Sequence, residues 1–564
     1  MYLLVAALAL GLRLAYLAHY ALNDAEASQA LAALSIYHGE TPAGGYSPLM
    51  ASLVSATFVL FGDADWATRL PSALLGLVLV MLPFGLRRQL GRRGALAASA
   101  LLAVSASALF WSRTLSGDAA TATGMLLLLV GGTRWLGEGE TGGLYGAAGG
   151  LALLLTGAPS GFTALATLLA SLAMLAFTVR GAQAAVQSRL AAGERAVRNA
   201  GYLFGGLLLL LATAGLFNLS GLAAVSDLLT RWLESFGLQP RPGAAYPAIL
   251  LLFFYEPLLL FFGVVGLGAA VGSRRPLDWL LAVWAALAIT LDLLMGGRSG
   301  GQVLVVLVPL SLLAGRQIGS LWEGLQTRAR LDGEGLFIAI GLMVSTFIYI
   351  SGMSWARCTA AQAGCGTAWV LPLAGALLIG GLAVIFGMWY GAGTAWRGLG
   401  AVLLVTLGCL SVGASWRLSF GPPAHLPFQP MTALPASTRF RTLQLDLQRQ
   451  SAERVGDRHE IEMAVVGVDT PMLRWGLRRF ERVRFVGSFA ETGDEPILLA
   501  RPDAGQPVGR RYVGQEYALI AHWSLDLLNG KEWVRWYVYR YLPNHKPGSD
   551  QLVMWVRVGG RGER

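Results

Sequence analysis

Lysine is nearly missing from this 564-residue chain: only Lys531 and Lys546 occur, so almost all of its positive charge is arginine. Charge of either sign is scarce. Charged residues make up 13% of the chain against 55% hydrophobic, and the mean hydropathy is +0.55. A chain so poor in charge cannot present a soluble surface along its whole length. The composition is that of a polytopic α-helical membrane protein, in which about 20 apolar residues per helix cross ~30 Å of hydrocarbon. Three cysteines exclude a disulfide scaffold and a zinc site. Cys409 lies in an apolar run, whereas Cys358 and Cys365 share one polar loop and could pair in an oxidising compartment. No Gly-x-Gly-x-x-Gly follows a strand, so dinucleotide binding has no support. The net charge of +10 sits beside apolar runs rather than on one face, which argues against nucleic acid as a partner.

What is present is a series of apolar runs through residues 1–414, read as thirteen spans that begin at 1–19, 67–87 and 94–112 and end at 369–390 and 397–414. Arg13 inside the first run, with no basic head and no cleavage site, marks a retained helix rather than a signal peptide. Arginines crowd every second gap: Arg87, Arg88, Arg92 and Arg93, then Arg180 to Arg198, Arg274 and Arg275, and Arg316 to Arg330. The positive-inside rule makes these gaps cytoplasmic, with the N-terminus inside a plasma membrane and everything beyond the last span outside. Residues 20–66 form a first external loop with two interfacial helices, near 25–38 and 48–61. Residues 415–435 are a proline-rich linker, and 436–564 have the composition of a soluble extracytoplasmic α/β domain, with strands at 461–468, 483–486 and 497–500 and helices at 471–482 and near 532–541.

The residues with chemical potential lie in the intervening gaps. Asp24 and Glu26 follow the first span, where they could face one ion or substrate, or serve as an N-cap and a first-turn charge. Asp118 opens the fourth span. It could orient a ligand, or be a cap paired with Arg113. Arg298, in Gly296-Gly297-Arg298-Ser299-Gly300-Gly301, could chelate a phosphate among glycines whose amides approach an anion, or could snorkel to headgroups. Glu256, in Tyr255-Glu256-Pro257, is an intramembrane carboxylate, either functional or hydrogen-bonded to a neighbouring helix.

Taken in order, these landmarks resemble the GT-C superfamily of integral membrane glycosyltransferases, especially protein O-mannosyltransferases, lipid A aminoarabinose transferases and a flippase-associated group. The likeness rests on the acidic pair after the first span, Tyr46-Ser47-Pro48-Leu49, and Ala67-Thr68-Arg69-Leu70-Pro71. It continues through Trp111-Ser112-Arg113 to Asp118, Tyr255-Glu256-Pro257, and Arg298 with Pro309 to Gly315. Ala25 separates the two acids, which are adjacent in the family. The resemblance implies an inverting transferase that uses a polyprenyl-phosphate-linked sugar and a glycan, lipid or protein acceptor. Asp24 or Glu26 would be the base, Asp118 an acid that orients acceptor or metal, and Arg298 the phosphate clamp. Tyr46, Arg69, Arg113 and Glu256 would support them. If a divalent ion is used, Asp24, Glu26 and Asp118 would hold it. The alternative is a noncatalytic partner in export of lipid-linked glycans or polysaccharide.

Overall fold

The computed structural model describes residues 1–558 except 179–181, 238, 240–243, 274, 327–331, 359–364, 433, 508–511 and 543–544. Arg180, Arg274, Arg328 and Arg330 of the basic gaps lie outside the described residues. The membrane part is a helix bundle: α1 (Tyr2–Leu14), α2 (Asp24–Tyr37), α3 (Pro48–Phe61), α4 (Asp65–Met81), α5 (Arg92–Val104), α6 (Ala106–Arg113), α7 (Asp118–Glu138), α8 (Thr141–Gly157) and α9 (Ser160–Thr178) form its first half. There follow α10 (Glu194–Ala212), α11 (Gly221–Glu234), α12 (Ala248–Tyr255), α13 (Pro257–Gly272), α14 (Pro276–Leu293), α15 (Val303–Gln326), α16 (Asp332–Arg357), α17 (Val370–Tyr390) and α18 (Ala392–Phe420). Among the described residues, eight helices are long and apolar enough to span a membrane, or up to ten if each bent pair counts as one. Several of the thirteen expected runs fold into helices below that length, such as the 13 residues of α1 and the 17 of α8.

Both bent pairs have a local cause. The chain turns by 119° between α12 and α13, where Pro257 removes a backbone donor. It turns by 55° between α5 and α6, where Ser105 caps the new helix. Glu256 joins the two breaks: its Oε1 accepts from the Ser105 hydroxyl at 2.6 Å and the Ser107 amide at 2.8 Å. Of the two readings of this carboxylate, the hydrogen bond to a neighbouring helix is the one observed.

The last span runs past residue 414 to Phe420. Beyond it, α19 (Thr438–Val455), β1 (Met463–Val466), α20 (Pro471–Leu477), β2 (Val483–Val486), β3 (Ile497–Ala500), β4 (Tyr512–His522), α21 (Gly530–Tyr539) and β5 (Gly548–Arg557) complete the chain. The sheet order is β2-β1-β3-β5-β4, parallel among β1, β2 and β3 and antiparallel at β5. The charged helix α19 was not expected.

The C-terminal domain does not stand apart. Its core, with Leu443, Met463, Leu473 and Ile497, is continuous with Ala27, Ala30 and Ala33 of α2 and Met50, Val54 and Phe58 of α3. Helices α2 and α3 therefore place apolar faces against the domain. At the other end of the domain, Trp536 of α21 is buried among Phe254, Trp523 and Trp533, so these aromatics are core packing. Cys358 and Cys365 are bonded to each other.

Candidate functional site

Asparagine rather than aspartate starts α2. The Asn23 side chain accepts from the Glu26 amide at 2.9 Å, and Glu26 accepts in return from the Asn23 amide at 3.4 Å, a capping box. Asp24 is thereby released from the cap role. Its Oδ1 reaches 2.9 Å to the Met472 amide at the start of α20, so it holds the C-terminal domain while its side chain borders an open cleft.

Glu26 is committed elsewhere. Arg69 donates to both its oxygens, from Nε at 2.8 Å and Nη2 at 2.7 Å, and the Leu115 amide donates to Oε1 at 2.8 Å. Arg69 also donates to the carbonyls of Leu17 and Tyr20, both at 2.8 Å. The expectation that Glu26 could act as base is corrected here: its oxygens are saturated by a buried ion pair that ties α2 and α4 to the end of α1.

Arg113 has a similar duty. It donates to the carbonyls of Leu12 (2.7 Å), Ala15 (2.6 Å) and Tyr16 (3.1 Å) and lies over the Phe420 ring. It neutralises the carbonyl end of α1 and is not the partner of Asp118. Tyr46 is buried, its hydroxyl accepting from Asn218 at 3.1 Å. Ser47 beside it caps α3 and donates to the Gly157 carbonyl at 2.5 Å. This tyrosine shapes the wall and does not enter the cleft.

The cleft has a volume of about 410 Å³ and is partly open to its surroundings. Asp24, Glu26, Asp118 and Arg298 all line it, although they come from three separate places in the chain. Asp118 is buried and accepts from the Ser160 hydroxyl at 2.6 Å. The turn carrying Arg298 comes so close that a Cβ on Gly301 would overlap the Asp118 carboxylate, and one on Gly300 would lie 2.7 Å from the Trp111 ring. The glycines of the turn are there for this approach. Among the described residues, no carboxylate lies within ion-pair distance of the Arg298 guanidinium, and its Nε is buried without a hydrogen-bond partner. A buried guanidinium nitrogen without an acceptor is a binding group in waiting.

Sequence reasoning missed Arg231 of α11, a second cation on the cleft wall. The signal was an arginine one turn after Asp227 on an amphipathic helix between two spans. Among the described residues, no group of three or more His, Cys, Asp or Glu side chains could hold a metal ion, and Glu26 is taken by Arg69. The expected three-acid metal site is therefore not assembled. What the cleft brings together is two arginines, Arg231 and Arg298, and the carboxylates of Asp24 and Asp118.

Residues 45–191 match the family model of dolichyl-phosphate-mannose-protein mannosyltransferases. No curated protein sequence matches the chain. Among solved structures, ArnT from Cupriavidus metallidurans bound to undecaprenyl phosphate is similar at 17% identity and a TM-score of 0.54, covering 89% of this chain and 93% of that one. Its apo state gives 16% identity and a TM-score of 0.52, with the same coverage. The matched segment opens at the Tyr46-Ser47-Pro48-Leu49 motif and contains Asp118, and the likeness to ArnT extends over nearly the whole of both chains. The chain is a polytopic membrane protein with the GT-C fold of the integral membrane glycosyltransferases.

Proposed function

We propose that the chain is a glycosyltransferase that moves a sugar from a polyprenyl-phosphate carrier to an acceptor hydroxyl. Transfer takes place at the end of the bundle covered by the C-terminal domain. One observation carries this reading: Asp24, Asp118 and Arg298, whose Nε has no hydrogen-bond partner among the described residues, meet in a single open cleft. The undecaprenyl phosphate bound by ArnT and the lipid-phosphate donor named by the matched family support it.

In the proposed step the acceptor oxygen attacks the anomeric carbon, and the bond from that carbon to the phosphate oxygen breaks. The electron pair leaves with the phosphate. Asp24 takes the hydroxyl proton, because one of its oxygens has no bonded partner among the described residues. Asp118, fixed by Ser160, orients the acceptor. Arg298, with Arg231 nearby on the wall, stabilises the charge that grows on the leaving phosphate. No metal is needed for this balance. The cleft faces outward, and the arginine-rich gaps face the cytoplasm. The bond between Cys358 and Cys365 supports that sidedness, since disulfides persist in oxidising compartments.

Thin-layer analysis of lipid-linked sugars in cells lacking the protein tests this reading. One polyprenyl-linked sugar should accumulate, and the wild-type chain should clear it while Asp24→Asn and Arg298→Gln do not. An unchanged lipid-linked pool, or full clearance by both variants, would remove the proposal.

A further inference from the structure

A second site lies apart from the cleft and shares none of its lining residues. It is a groove between α16 and α18, lined from Leu342 to Trp355 on one wall and from Val405 to Arg417 on the other, with α21 across one end. Both walls are largely apolar. At 1.5 Å per helical residue the second wall is about 18 Å long, close to the ~15 Å depth of a single leaflet. The end beneath α21 is strongly basic. Arg357 and Arg417 each occupy the last turn of their helix, and Arg540 follows α21 in the left-handed region at φ 57°.

Arg540 is the unusual member. It is buried, its guanidinium centre lies 4.8 to 4.9 Å from the ring centres of Tyr255, Trp536 and Tyr537, and Nη2 donates to the Phe254 carbonyl. Nε and Nη1 are buried with no partner. Arg417 spends one nitrogen on the Val538 carbonyl and lines the same groove. Among the described residues, no ion pair to a carboxylate is formed by Arg357, Arg417 or Arg540. Two guanidiniums held together without an acid, one with orphaned donors, are completed by an anion. An anion with an apolar tail of one leaflet's length fits both halves of the groove.

We propose that this groove binds an anionic phospholipid of the bilayer, with its phosphate on Arg540 and Arg417 and an acyl chain between α16 and α18. The bound lipid joins the last spans to the C-terminal segment. The groove and the cleft share no lining residue, so the site is distinct from the proposed donor site.

Native mass spectrometry of the full-length, delipidated protein tests this with three probes: palmitoyl-oleoyl phosphatidylglycerol, the matching phosphatidylcholine, and undecaprenyl phosphate. The wild type should retain phosphatidylglycerol about tenfold or more over phosphatidylcholine, whose quaternary ammonium offsets the phosphate charge beside the two guanidiniums. Undecaprenyl phosphate should not displace it. Arg417→Gln should lower retention by a similar factor. Gly413→Phe should block the groove without straining the fold, because nothing lies within 4 Å of a Cβ at Gly413. Equal retention of the two phospholipids by the wild type, displacement by undecaprenyl phosphate, or full retention by a folded Gly413→Phe variant would overturn the proposal. The wild-type comparison decides the matter even if a variant fails to fold.

Discussion

Asp24 and Glu26 stand two residues apart, yet their removal should have opposite consequences. Glu26 is 5% exposed and its partner Arg69 is 3% exposed, and the pair makes two short hydrogen bonds. Glu26→Ala leaves a buried guanidinium without its counter-ion and strips the Leu115 amide of its acceptor. Breaking a buried pair from one side costs about 3–5 kcal/mol, or roughly two to three and a half orders of magnitude in the folding equilibrium at about 1.4 kcal/mol per tenfold. Replacing both partners with apolar residues, Glu26→Leu with Arg69→Met, should recover much of that loss. Asp24→Asn keeps a carbonyl oxygen for the Met472 amide and so keeps the fold, but removes the proposed proton acceptor. A general base contributes about 10²–10⁴-fold to rate. Fluorescence-detected size exclusion after heating reads stability, and transfer of labelled sugar from a polyprenyl-phosphate donor reads function. Glu26→Ala should fail the first assay; Asp24→Asn should pass it and fail the second. A Glu26→Ala variant as heat-resistant as the wild type would refute the assignment of Glu26 to structure.

Three further outcomes follow from the same contacts. Burial alone would raise the Asp63 pKa, but the charges and hydrogen bonds of Arg478 and then Arg479 outweigh it and hold the carboxyl below its ordinary value. A depressed pKa contributes stability that is present above the ordinary value near ~4 and lost as pH falls through the folded value. Proteolysis of the linker should therefore accelerate as pH drops below the ordinary carboxylate range, and Asp63→Asn should weaken domain docking at neutral pH and flatten that dependence. Gly301→Ala should push the Asp118 carboxylate off Ser160, lowering transfer as much as Asp118→Asn does, with the thermal midpoint nearly unchanged. On a cysteine-free background, an impermeant maleimide applied to intact spheroplasts should label Ser299→Cys and should reach Arg92→Cys only after permeabilisation, since both positions are exposed; labelling of both from one side would contradict the proposed sidedness.

The broad layout was legible because it depends on composition. Apolar runs, arginine-rich gaps and a soluble tail with short strands need no long-range information. Asp118 and Arg298 were legible because each is a lone charge in apolar or glycine-rich surroundings, where charge is costly. Three things were hidden because they depend on partners distant in sequence. Glu26 looked available until Arg69, 43 residues on, was found on both its oxygens. Arg113 looked like a partner for Asp118 until it turned to the carbonyls that end α1. Helix α19 escaped notice because its buried side consists only of Phe440, Leu443, Leu447 and Ser451, a stripe too thin to stand out from the arginines and glutamines around it. The docking of α2 and α3 onto the tail was hidden for the same reason: their small apolar residues suit a membrane surface and a protein face equally well.

The most direct measurement is sugar transfer by the purified chain in proteoliposomes, with a radiolabelled polyprenyl-phosphate sugar as the only donor and Arg298→Gln as the comparison. The expected result is label moved to an acceptor by the wild type and a loss of about 10²–10³-fold in the variant, the scale on which removal of a transition-state charge donor acts. Equal transfer by the two proteins, or release of no label by a wild type that is folded and bound to donor, would contradict the assignment of this cleft to glycosyl transfer.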